Sequence, residues 1–273
     1  MEASIPQFAA RLPALSAFAR TQAGQIEREL LQEGELLDRR IRDFCTGEQM
    51  AAIERVAPGW QAMAAFADGA TLVHVVRAMI ALQLLPEFRT APPQLQALME
   101  WSVLFHDLGK QVVAGKRDSL HAFRSAALTA RALPQLGFAT TSVYPESVES
   151  WARLVLDASV PAPDGKGLIQ DNRALPQILT GVERLFGSDS AAGLIVQAVL
   201  LHQSLNVVAE WPNAASLTEA EMPRCISPAL LPLLEAVMLV DSDAWQLFDP
   251  LHKSHFRQST LAAFARARQL VGV

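Results

Sequence analysis

The sequence predicts an all-α fold, and three observations carry that expectation. Apolar residues return every three or four positions along nearly the whole chain, the period of a helix with one buried face. Strict alternation of β-branched residues is missing, so no strand is expected. Pro86 stops one apolar run, and Pro92 and Pro93 suit the start of another.

In chain order, 6–20 and 22–44 read as two helices, the second with pairs at helical spacing such as Glu27/Leu30/Leu31 and Glu35/Arg39. A third covers 48–66 and is broken at Pro58-Gly59. The run 70–85 is stopped by Pro86. Pro92 and Pro93 open a helix that reaches about Leu108, with Gly109 closing it. Further helices fit 119–136, 145–158, 174–186, 189–205, 227–247 and 254–270. Two stretches read as loops, Pro161 to Gly167 and about 206–218, the latter with Pro212 and Asn213. The first 45 residues read as an N-terminal helical extension and 46–273 as the main helical domain.

A chain of 273 residues with 51% hydrophobic and 19% charged residues can bury a sizeable core. Its formal net charge of −5 and lack of a basic stripe argue against a long nucleic acid as partner. Cys45 and Cys225 are far apart and match no zinc spacing, so a reduced, cytoplasmic setting is expected. Met1-Glu2-Ala3-Ser4 has no basic stretch followed by an apolar one, and runs such as Leu194 to Leu201 are too short to span a bilayer. Neither a secretory signal nor a membrane partner is expected.

Ionisable residues sit where helices should bury carbon. His74 lies within Leu72-Val73-His74-Val75-Val76, His106-Asp107 ends the run from Trp101 to Phe105, His202 follows Val199-Leu200-Leu201, and Asp241 follows Val237 to Val240. A buried imidazole or carboxylate is costly unless paired, hydrogen-bonded or bound to metal. Several on separate helices suggest that they meet. Imidazole nitrogen with carboxylate oxygen suits manganese, iron, cobalt, nickel or zinc better than calcium. Inner faces of bundled helices are a known setting for such sites. A bound ion can generate a nucleophile from water near neutral pH and polarise a phosphoryl oxygen.

The order is His74, His106-Asp107, Asp241, and the doublet continues as His-Asp-Leu-Gly-Lys. Over about residues 70–245, the segments TLVHVVRA, LFHDLGK, HAFRSAALTARAL, VLLHQ and LVDSDA resemble the HD-domain superfamily of metal-dependent phosphohydrolases. The resemblance implies an HD-type helical bundle. It makes His74, His106, Asp107 and Asp241 the ligands of a first metal. His121 and His202 would hold a second, with Asp107 bridging the two. Lys110 would contact the phosphate or assist the leaving group. Arg124, and less directly Lys116 and Arg117, would stabilise phosphoryl charge. The implied substrate is a small phosphorylated molecule, in the first instance a nucleotide. No Gly-Tyr-Pro signature follows the doublet, which argues against the cyclic-dinucleotide phosphodiesterases of the superfamily. Neither a nucleotidyltransferase domain before the doublet nor a synthetase domain after it is present in this sequence, which sets aside tRNA-repair and bifunctional alarmone enzymes. The gap of 14 positions between Asp107 and His121 is short.

Other readings stand beside these. His74 or His202 alone also fits a hydrogen-bonded core histidine. His121 also fits an exposed first-turn residue with Asp118 or Ser119 as cap. Lys110 also fits a solvated cation near a helix end. Asp241 is preferred to Asp243, whose other role would be to orient a ligand. Lys116, Arg117, His252 and His255 read as surface residues. Trp60, Trp101, Trp151, Trp211 and Trp245 read as core or loop anchors. Two further functions compete with the hydrolase. One is a di-iron oxygenase of the same superfamily, and the other is a binding or regulatory domain without turnover.

Overall fold

The computed structural model describes residues 5–111, 118–163, 165, 167–205 and 216–273. Lys116, Arg117, Trp211, Pro212 and Asn213 lie outside the described residues. In chain order the helices are α1 (Phe8–Arg11), α2 (Pro13–Glu27), α3 (Gly34–Phe44), α4 (Gly47–Val56), α5 (Trp60–Ala64), α6 (Ala70–Leu84), α7 (Pro86–Thr90) and α8 (Pro93–Phe105). They continue as α9 (His121–Ala132), α10 (Tyr144–Asp157), α11 (Leu175–Phe186), α12 (Ala191–Leu201), α13 (Met222–Cys225), α14 (Leu231–Trp245) and α15 (Pro250–Val271). The all-α expectation is met, with one small exception. Ser159–Pro161 (β1) and Leu168–Gln170 (β2) pair antiparallel, Val160 opposite Ile169. Part of the proline-glycine loop at 161–167 therefore joins two strands too short to show a period-two pattern.

Proline occupies the first turn of α2, α7, α8, α10, α11, α13, α14 and α15, where its missing N–H costs nothing. Pro86 stops α6 and also starts α7, a short helix not expected from the sequence. The expected break near residue 21 lies elsewhere. The chain interrupts at Leu12, and again at 28–33, where Glu29 takes a positive φ of 59°.

Helices that are apolar all round form the inner layer. On α6, every residue from Leu72 to Leu82 except Arg77 is buried, and on α12 so is every residue from Ala192 to Leu201. α8 packs against α6, α9, α12 and α14, and α14 lies along α6. By length and composition Phe66–Leu84 would suffice to cross a bilayer, but its α6 part is a core helix packed on α2, α8 and α14. Outer helices bury one stripe each, such as Ile178, Leu179, Val182 and Leu185 on α11.

Residues 5–45 share this core. Phe8 meets Trp101 edge-on, with centroids 5.1 Å apart, and Trp101 Nε1 donates to Pro6 O at 2.8 Å. Arg77 of α6 ties that helix to α3 and to α14. It donates to Asp38 Oδ1 at 2.7 Å, to Gly34 O at 3.1 Å and to Ala244 O at 3.4 Å. Trp60, Trp101 and Trp151 are buried, as expected of core anchors, whereas Trp245 is 58% exposed.

Candidate metal centre

The end of α8 builds the middle of the site. After Phe105 the chain turns, with Leu108 N–H donating to Phe105 O and Lys110 N–H to Asp107 O. Gly109 is needed here for closeness rather than for a left-handed backbone. A Cβ on it would lie 2.6 Å from Ser125 N and from Arg124 Cβ, and its own N–H donates to Ser125 Oγ at 2.9 Å. The turn is thereby pressed onto the first turns of α9, which begin at His121.

The six residues expected as ligands converge in two groups. His74, His106 and Asp241 form one, and Asp107, His121 and His202 the other. Within each group the potential ligand atoms lie within 4.8 Å of one another. His74 Nε2 is 2.8 Å from Asp241 Oδ1 and 3.4 Å from His106 Nε2. His121 Nε2 is 3.1 Å from His202 Nε2. Asp107 faces both groups with different oxygens. Its Oδ2 lies 3.6 Å from His74 Nε2 and 3.7 Å from His106 Nε2. Its Oδ1 lies 3.0 Å from His121 Nε2 and 3.9 Å from His202 Nε2. Asp241, with 28% of its side chain exposed, is the group's opening to solvent, while Asp107 and the four histidines are buried.

Three of the imidazoles are oriented by one device. His106 Nδ1 is 2.7 Å from Val103 O, His202 Nδ1 is 2.7 Å from Val199 O, and His121 Nδ1 is 2.5 Å from Asp118 O. Each carbonyl lies three residues upstream and takes the Nδ1–H. The proton so placed leaves Nε2 as a lone pair aimed inward, the tautomer a metal ligand requires. Two such lone pairs, on His121 and His202, then face each other, and Asp107 Oδ1 is buried without a hydrogen bond. Bare lone pairs and a carboxylate oxygen in such proximity repel, and a cation among them removes the repulsion. The donor set therefore fits a divalent metal.

Electrostatics shift the site groups in different directions: against burial, Asp107 and Asp241 raise His106. Burial, with the neighbouring His121 and His106, pushes His202 down to about 3. Burial also lowers His74 against the pull of Asp241 and Asp107. Burial would raise Asp107, but His106, His121 and Lys110 together hold it well below the usual carboxylate range. His106 and His74 do the same for Asp241. Lys110 loses from burial and gains more from Asp107 and Asp241, so its pKa is raised.

The remaining site candidates are placed as follows. Lys110 Nζ donates to Asp107 Oδ2 at 2.6 Å. The Arg124 guanidinium is engaged by Gly109 O, at 2.9 Å from Nε, and by both oxygens of Asp118. It braces the turn rather than joining the six. Asp118 is not the cap of α9; besides Arg124 it accepts from Gln111 N–H, and its carbonyl orients His121. Asp243 points away, toward Lys253 at 3.3 Å and Arg257 at 3.6 Å on α15. It secures that helix and orients no ligand. Two contributors escaped the sequence reading. One is the Asp118–Arg124 pair. The other is Trp245, whose ring stacks on His74 with centroids 4.5 Å apart.

No family model, curated protein or solved structure matches the chain.

Proposed function

We propose that this protein is a metal-dependent phosphohydrolase that cleaves a phosphomonoester or phosphodiester of a small molecule, with nucleotides the first class to test. One observation carries the reading. A single buried carboxylate, Asp107, presents one oxygen to each of two His-rich groups. His74, His106, Asp107 and Asp241 would hold one ion, and Asp107, His121 and His202 a second. A bound divalent ion supplies Lewis acidity toward a phosphoryl oxygen and a nucleophilic water near neutral pH. The order of the six residues, the text His-Asp-Leu-Gly-Lys and the likeness of these segments to HD domains support the same reading.

The chain's own contributions follow from their positions. In the hydrolysis, water oxygen bonds to phosphorus as the ester P–O bond breaks, and the electron pair leaves with the departing oxygen, which takes up a proton. Lys110, with 18% of its side chain exposed beside Asp107, would donate a charge-assisted hydrogen bond to a phosphoryl oxygen. Its raised pKa makes it a fixed cation rather than a proton donor. Arg124 positions the turn that carries Asp107 and Lys110. The buried walls around the histidines exclude bulk water, which strengthens each charge interaction.

The test is metal analysis of the purified protein, then assay with manganese, cobalt or nickel against a nucleotide panel and a chromogenic phosphate ester. Turnover with a loaded ion, lost in His106→Ala and Asp107→Ala variants that still fold, is the expected result. Loaded protein that turns over nothing would sink the proposal and favour a binding or regulatory domain. Two irons with dioxygen-consuming turnover would replace it with the oxygenase.

A further inference from the structure

A hollow of about 250 Å³ lies between α5 and α9, and the turn Leu108-Gly109-Lys110 forms part of its wall. Its large apolar side chains are Met63, Phe66, Leu108, Leu128 and Leu156. Leu156, on α10, is 43% exposed, so an apolar side chain is left half open at this place. The arginines of the wall are engaged elsewhere. Arg124 donates to Gly109 O and to Asp118, and Arg131 donates to the two oxygens of Glu149 at 2.8 and 2.7 Å. Lys110 belongs to both the hollow and the metal centre. It lines the hollow, and its Nζ is 2.6 Å from Asp107 Oδ2, the oxygen that faces His74 and His106. A phosphoryl group held at Lys110 would have its organic part beside these apolar walls. Hydroxyls buried against them would go short of partners, whereas carbon gains from leaving water.

We propose that this hollow is the subsite for the leaving group, and that the substrate is a phosphate ester of an apolar alcohol or phenol. The cleavage rests on the hydrolase reading above; the fit of an apolar group beside Lys110 does not. The experiment therefore uses phosphonates, which have no ester bond to cleave. Binding of phenylphosphonate and methylphosphonate to manganese-loaded protein is measured by isothermal titration calorimetry, in wild type, Ala62→Trp and Leu156→Asn. Both positions are exposed residues of the lining, so either substitution alters the hollow without opening the core. The first fills it and the second makes its rim polar. Turnover of phenyl phosphate and of adenosine monophosphate is assayed separately.

Wild type should bind phenylphosphonate at least about tenfold tighter than methylphosphonate. Either variant, with circular dichroism and manganese content matching wild type, should lose most of that preference. Equal affinity of wild type for the two phosphonates overturns the proposal, and so does failure to bind either. A preference that survives in both folded variants overturns it too, since the phenyl group would then sit elsewhere. A phenyl preference without turnover of any ester removes the hydrolase and leaves the subsite. Ester turnover without that preference does the reverse.

Discussion

The two halves of the candidate metal centre are built differently. His74 and Asp241 come from the interiors of α6 and α14, and the packing of those helices sets their separation. His121 and His202 come from helix ends, and backbone carbonyls three residues upstream set their rings. For His121 the carbonyl is that of Asp118, ahead of α9 and outside any helix, whereas for His202 the reason is the hydrogen-bond inventory of a helix. Carbonyls in its middle are already paired, whereas those at its last turn are spare. His106, at the end of α8, uses such a spare carbonyl, while His74 sits mid-helix with its Nδ1 buried and unpaired. The first half is therefore rigid through packing and partly open at Asp241. The second is closed and rigid through backbone hydrogen bonds.

The most severe test of this division is Asp107, which both halves share. Asp107→Ala should lose both ions and, on the order of, 10³-fold or more in turnover, read by metal content per chain alongside the ester assay. His202→Ala should remove one ion and spare the other. His74→Ala should remove the opposite one, so the two variants titrated with manganese would show complementary single sites. Identical stoichiometries for all three variants would contradict the separation into halves.

A finer probe is Arg124→Ala. It leaves every ligand in place and loosens the brace between Gly109 and Asp118, whose carbonyl orients His121. Affinity at the second half should fall about tenfold, with the first unchanged. The smallest effect concerns Glu100, one further carboxyl of α8 with no cationic cluster around it. Burial raises it to about 7, against a weaker pull from Arg20, whereas Asp107 is held low by its histidines and Lys110. Because folding raises the pKa of Glu100, its contribution to stability is fully present below about 4.5 and disappears as pH rises through about 7. Glu100→Gln should therefore gain on wild type across that window, by on the order of 2 kcal/mol at most, seen as a urea midpoint that diverges between pH 5 and pH 8.

Much of this was legible in the residues alone. Imidazoles and carboxylates interrupting apolar runs pointed to all the members of both halves except His121, which came from the family resemblance and could equally have been a surface residue. Helix period and proline placement located the inner helices. What was not legible depended on contacts between distant segments. The Asp118–Arg124 pair and the reason for Gly109 exist only once α9 meets the turn. The exposure of Trp245 follows from how α14 ends over His74, and tryptophan identity by itself favours a core. The ribbon β1–β2 was too short to have a period, and the break at Glu29 carries neither glycine nor proline to announce it.

Arg77 lies one helical turn beyond His74, and through it the candidate metal centre is tied to α3. Its partners Gly34 and Asp38 both lie within the first 45 residues, so clipping that removed them would leave Arg77 without those contacts. A nick there would leave the half-buried Arg77 with only the Ala244 carbonyl as partner. Weaker metal binding at the His74 group than in the intact chain is the expected outcome, read by metal content of the nicked protein.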